Sequence, residues 1–243
     1  LGYAVQEVQG EIFEKTKELD LNNSLNGRVS GVFISQGRSN LGTSNARVVI
    51  RGESSIGGNN NPLYIVDGFP ASYVNPNDIE SLSVLKGPAA TALYGSRAAA
   101  GVIVITTKSG KRSEVLSIEV ASNVTISNPS VLPDYQTEYG QGLGGVYNPS
   151  ISLSWGPAFT EPAIQQLWGG NEWRAYPNAI KEAYNTGVTL NNNVALSGGN
   201  EKSDFRLSYT NVDQTGMIPN TKFNEHTIDL NTSRNFTDKF SVR

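Results

Sequence analysis

The chain has 243 residues, 19 basic against 22 acidic, and a formal charge of −3. With no cysteine and a single histidine, a disulfide framework, a Cys/His zinc site and a thiolate nucleophile are excluded. The slightly acidic balance lacks the basic excess of a chain that wraps nucleic acid, so no nucleic-acid partner is expected. The longest near-apolar run, residues 98–105, falls far short of the roughly 20 residues of a spanning helix. A transmembrane β-barrel stays open, because alternating strands leave little hydropathy signal.

In chain order, residues 1–19 read as a lead-in. Residues 19–25 form a short helix candidate with Leu21 and Leu25 on one face. The runs 32–34, 47–51, 63–66, 82–85 and 102–105 are short, apolar and β-branched, the pattern of interior strands in a small sheet. Between the last two, residues 87–95 carry Pro88 just inside and Gly95 just past a helix candidate. Residues 20–110 are therefore predicted to be a small α+β domain.

From residue 116 the texture changes. Leu116, Ile118, Val120, Val124 and Ile126 alternate with Ser117, Glu119, Ala121, Asn123 and Thr125, a period of two over a length that crosses a bilayer at barrel tilt. Residues 128–186 then run for about sixty positions with little periodicity and hold Trp155, Trp168 and Trp173 among several tyrosines; so long a loop is usually functional. Alternation resumes over 188–196, 205–210 and 228–231, with tight polar turns at 198–203 and 235–239 and a fifth run at 240–242. Periodicity alone fits a soluble β-sandwich as well as membrane strands. In the soluble case the aromatic loop suggests a glycan-binding or adhesion module.

The order of motifs over residues 25–110 carries a family resemblance. Leu25-Asn26-Gly27-Arg28-Val29-Ser30-Gly31-Val32 is followed by Ile50-Arg51-Gly52, by Asn61-Pro62-Leu63-Tyr64-Ile65-Val66-Asp67-Gly68, and by the block from Asp78 through Leu85-Lys86-Gly87-Pro88 and Leu93-Tyr94-Gly95-Ser96-Arg97 to Ile103. This resembles the plug domain of TonB-dependent outer-membrane transporters of the SusC/RagA branch. The later 196–202 and 213–216 segments are similar to that branch's first barrel hairpins.

The resemblance implies an α+β plug followed by the first antiparallel strands, residues 111–243, of a 22-stranded transmembrane β-barrel whose outer loop is 128–186. It implies a bacterial outer-membrane location, import of an oligosaccharide or peptide cargo, energy from the inner-membrane TonB complex and a SusD-like surface lipoprotein as lid. It implies no cofactor and no enzymatic activity. Four strands and part of a fifth cannot close such a barrel, so the residues are expected to be the N-terminal portion of a longer transporter, with the family's TonB box just upstream of Leu1.

Arg51, Asp67, Glu80 and Arg97 are candidates for ion pairs within the plug or from plug to barrel. Asn59, Asn60 and Asn61, on a polar loop, and Trp155, Trp168 and Trp173 are candidates for ligand or lid contact, since amides bond sugar hydroxyls and indoles stack on sugar faces. Other motifs carry less. Gly140-Gln141-Gly142-Leu143-Gly144-Gly145 satisfies the dinucleotide spacing but neither follows a strand candidate nor opens a helix. His226 has no positioned serine or carboxylate for a triad. Asp78 and Glu80, two positions apart, read as a solvated turn rather than a glycosidase pair.

Overall fold

The computed structural model describes residues 5–16, 19–35, 41, 46–52, 60–71, 73–110, 112–113, 115–160, 173–237 and 240–242. They form two compact units: residues 1–126 with 187–216 and 220–243, and residues 127–186 with 217–219.

The first unit opens with β1 (Val5–Gln9), α1 (Glu11–Thr16), α2 (Leu21–Ser24), β2 (Val32–Ser35), β3 (Arg47–Ile50), β4 (Leu63–Val66) and β5 (Phe69–Pro70), then β6 (Ile79–Leu85), α3 (Pro88–Tyr94) and β7 (Val102–Thr107). Five strands make a mixed sheet in the order β1-β6-β7-β4-β5, with β4 and β7 parallel, and β2 pairs β3 as a separate ribbon. The central strands are covered on both faces, which is why they read as near-continuous apolar runs: Leu82, Val84, Val102 and Ile103 are fully buried. The stretch read as a lead-in supplies the edge strand β1, paired with β6, and puts Val8 and Phe13 into the core.

Local chemistry sets the ends of these elements. The Asp20 carboxylate accepts the Asn22 amide at 2.8 Å and caps α2. Asp67 and Gly68 both take positive φ, 47° and 92°, and close the β4–β5 hairpin in the two-residue turn that matches strand twist. The Tyr64 hydroxyl donates to Asn22 Oδ1 at 2.6 Å, tying β4 to α2. Burial, aided by the charge of Asp20, pushes this phenol up to about 12.

The chain continues into β8 (Ser117–Ser127). The second unit follows, with the short pair β9 (Gly142–Leu143) and β10 (Val146–Tyr147) and the one-turn helix α4 (Ala179–Glu182). Back in the first unit, β11 (Gly187–Gly199), β12 (Ser203–Thr215), β13 (Lys222–Thr237) and β14 (Phe240–Val242) complete a second sheet in the order β14-β13-β12-β11-β8. Among the described residues no helix is long and apolar enough to cross a membrane.

The faces of this second sheet are inverted relative to a water-soluble protein. Val120, Ile228 and Leu230 are 73%, 71% and 68% exposed, while Arg206, Ser208 and Thr210 are 5%, 1% and 3% exposed. Thr189, Asn191, Asn193 and Ser197 of β11 are buried in the same way. The strands therefore hold their polar side chains against the N-terminal domain and turn their apolar ones outward.

Tyr64 allows a test of the α2–β4 tie. Its folded-state pKa lies above the unfolded value, so the stability it contributes is present below about pH 10 and lost as pH rises toward 12. Tyr64→Phe should cost roughly 1 kcal/mol at pH 7 through the lost hydrogen bond, and should flatten the alkaline loss of stability between those two values. Urea titrations across pH measure both effects.

Candidate functional site

The N-terminal domain meets the buried face of β11–β13 through polar groups. Asn75 sits at the entrance of the 3₁₀ turn Pro76–Asp78, where its Oδ1 accepts the Asn77 amide at 3.0 Å. This local turn frees its Nδ2 to donate to Thr210 Oγ1 of β12 at 2.6 Å, an oxygen that also accepts from Asn193 Nδ2 of β11 at 2.7 Å. Asn77 Nδ2 reaches Asn191 Oδ1 at 3.4 Å. The Tyr73 hydroxyl donates to Glu225 Oε1 of β13 at 2.6 Å, and burial together with that carboxylate raises its pKa.

The centre of the contact is an ion pair. Asp78 Oδ1 bonds Arg206 Nη1 of β12, with both side chains almost wholly buried. Arg206 Nη2 lies 3.9 Å from Glu119 of β8. Farther along, Asn231 Nδ2 of β13 donates to Thr107 Oγ1 at 3.1 Å and to the Lys108 carbonyl at 3.3 Å. Arg112 Nε meets Asp204 Oδ2 of β12 at 3.2 Å. Gly110 passes so close to β12 that a Cβ there would stand 2.3 Å from the Phe205 carbonyl oxygen. Asp78 Oδ2, Arg206 Nη2 and Ser208 Oγ are buried at this seam with no hydrogen-bond partner among the described residues.

The sequence candidates fall differently. Asp67 accepts from the Thr107 amide at 3.1 Å and from its hydroxyl, and so stands one residue behind Asn231 in the network. Arg51, Glu80 and Arg97 are exposed and hold no ion pair among the described residues. Asn60 is buried, Asn61 is exposed, and Asn59 lies outside the described residues. Of the tryptophans, Trp155 is 58% exposed, Trp173 packs inside the second unit, and Trp168 lies outside the described residues. The solvated-turn reading of Asp78 is corrected: it is 3% exposed, because a cation on a distant strand removes it from water. Only the polar side of the β12 alternation marked Arg206 in advance.

Residues 1–102 match the family model described as the TonB-dependent Receptor Plug Domain. This segment is a TonB-dependent receptor plug. The chain is 30% identical to the TonB-dependent receptor SusC of Bacteroides thetaiotaomicron, over 98% of this chain and 24% of that protein. It is 32% identical to a TonB-dependent receptor of Formosa agariphila, over 93% of this chain and 21% of that protein. In structure it resembles the RagAB peptide transporter with a TM-score of 0.78 at 26% identity, covering 98% of this chain and 29% of that one. The chain thus spans about a quarter of the length of the curated relatives it matches. The resemblance read from residues 25–110 holds, and the matched plug includes β1 and α1.

The seam gives a mutational signature. Asp78→Asn takes away the nearest counter-charge of buried Arg206, leaving it Glu119 at 3.9 Å, and should loosen the plug by up to about 3–5 kcal/mol, whereas the paired Asp78→Leu, Arg206→Met change should cost much less than the sum of its two singles. The measurement is the urea concentration at which the plug of the folded receptor becomes protease-sensitive.

Proposed function

We propose that this chain supplies the plug and opening strands of an outer-membrane importer, a transporter and not an enzyme. The observation that carries the reading is the inverted sheet: apolar side chains outward where lipid would lie, polar ones inward against the plug. A soluble sandwich would bury the apolar face instead. A β-sheet in a bilayer must close on itself, since unpaired edges cost several kcal/mol per group. The five strands are on this reading the first of about 22 in a barrel wide enough to hold the plug.

The seam suits a plug that must seal and then yield. Hydrogen bonds between short polar side chains can be exchanged for water at small net cost, which an apolar interface of equal area cannot match. Arg51, Glu80 and Arg97, exposed here, remain as charges available to strands beyond β14. The similarity to SusC and to the RagAB peptide transporter supports a nutrient cargo, an oligosaccharide or peptide. On the same footing the energy comes from the TonB complex and a SusD-like lipoprotein caps the outside, with Asn59, Asn60, Asn61, Trp155, Trp168 and Trp173 as contacts to cargo or lid.

Leu230→Arg in the full-length receptor separates the membrane reading from the soluble one. Facing lipid, it should cost about 2–4 kcal/mol near the bilayer midplane and cut the heat-modifiable folded fraction sharply, while Leu230→Phe is tolerated. If Leu230→Arg folds as well as the wild type and the protein stays monodisperse without detergent, the importer reading is wrong.

A further inference from the structure

The two ends of the outward face of the second sheet differ in charge. Toward one end β13 carries Lys222 and β12 carries Asp213, one cation for one anion. At the other end stand Arg234 of β13 and Lys202 of the β11–β12 turn, with Glu201 the one exposed carboxylate there among the described residues. Resting on the import reading, which puts this face in lipid, we propose that Arg234 and Lys202 hold the phosphate of an anionic phospholipid at the membrane boundary.

The even positions of β13 from 222 to 236 are exposed, so Arg234 shares the outward row of Ile228, Leu230 and Phe236. Its guanidinium carbon lies 5.1 Å over the Phe236 ring, which in turn packs on Phe240 with centroids 5.6 Å apart. Stacking engages the flat face of the group and leaves its N–H edge for a phosphate. Arg234 holds no hydrogen bond or ion pair among the described residues, and neither does the Lys202 ammonium. The Lys202 carbonyl accepts the Asn235 amide at 2.7 Å and Ser203 pairs with Arg234, which brings the two basic residues together across the strands. Next to them Leu116 and Phe205 close over Gly198: a Cβ there would stand 3.2 Å from Leu116 Cδ1 and 3.4 Å from Phe205 Cε1. A phosphate on the guanidinium edge thus has an apolar wall beside it for the acyl chains.

The level also fits a headgroup. Residues 200–202 and 238–239 join the strands at the Arg234 end, whereas the longer connections 128–186 and 216–221 enter β11 and β13 at the other. Outer-membrane barrels keep their short turns on the periplasmic side, where the leaflet is phospholipid and not lipopolysaccharide. Arg234 is four positions from Leu230, about 10 Å along the membrane normal at the usual strand tilt. That is close to half of an apolar band roughly 25 Å tall, a depth at which an arginine is tolerated and reaches the interface.

The test uses the full-length receptor in a neutral detergent, with bound lipid counted and its affinity measured by native mass spectrometry. The probes are phosphatidylglycerol, phosphatidylcholine, lipid A and inorganic phosphate. Phosphatidylglycerol should bind about fivefold more tightly than phosphatidylcholine, the effect of one basic residue near an anionic lipid. Arg234→Gln should abolish that preference, Arg234→Lys should keep part of it, and Lys222→Gln, at the far end of the face, should leave it whole. Phe236→Leu keeps an apolar side chain in lipid but removes the ring that sets the guanidinium, and should lower the preference about twofold; it decides the matter if Arg234→Gln does not fold by heat-modifiability. The site is overturned if the wild type shows no preference, if Arg234→Gln, or Phe236→Leu in its place, retains it in full, if Arg234→Gln loses lipid A binding instead, or if inorganic phosphate at equal concentration displaces the lipid. A receptor that imports nutrient but shows no preference loses this site and keeps the import reading, whereas one that binds phosphatidylglycerol through Arg234 and imports nothing keeps the site and loses import.

Discussion

A carboxylate that is 3% exposed must be met by a cation, and for Asp78 the cation sits 128 positions away on β12. Removing either group strips a buried charge of its nearest partner, a penalty of several kcal/mol that the longer Arg206–Glu119 contact, at 3.9 Å, offsets only in part. This one requirement constrains the register of the whole second sheet. Arg206 pairs with Ser197 on one side and Asn231 on the other, and a slip of one residue would turn it from the plug to the outside. Asn231 on Thr107 and Arg112 on Asp204 hold the same register from the far end of the seam.

The strength of that pair does not make the interface strong overall. A buried ion pair contributes little net stability, because desolvation of both charges cancels most of their attraction. Around it the contacts are single hydrogen bonds between asparagine, threonine and tyrosine, each contributing on the order of 1 kcal/mol. Three buried polar atoms at the seam go without a partner among the described residues, a cost relieved when the surfaces part. The ion pair selects one docked arrangement, and the modest remainder leaves that arrangement separable.

Elements whose cause is local were legible in the sequence. The alternation over 116–126 and 188–210 was readable because a strand's two faces differ at every step, whatever lies across from them. The Pro88 and Gly95 punctuation located α3 to within a residue, and Asp67-Gly68 is a turn by its own backbone preferences. Causes lying far along the chain were hidden. Val5–Gln9 holds too few apolar residues to read as a strand; it is ordered by pairing with β6, some 75 positions on. Asp78 looked solvated because nothing within its own turn tells of Arg206. The tryptophans stood out by size alone, and size does not separate an exposed ring such as Trp155 from a strut such as Trp173.

The two faces of the second sheet demand different surroundings, and this ties the parts of the first unit together. Outward valines, isoleucines and leucines on β8, β11, β12 and β13 form an apolar surface that a monomer in water does not keep bare. Their inward neighbours, if they faced that same apolar surrounding, would lose hydrogen bonds at a cost of kcal/mol apiece. On the import reading proposed above, lipid on one side and a polar, folded body on the other satisfy both faces at once. The plug is that body: Asn75, Asn77, Asp78 and Thr107 present the groups that the strands need to bond. The polar plug surface and the polar strand face therefore each account for the other, and neither makes physical sense as the surface of a domain standing alone.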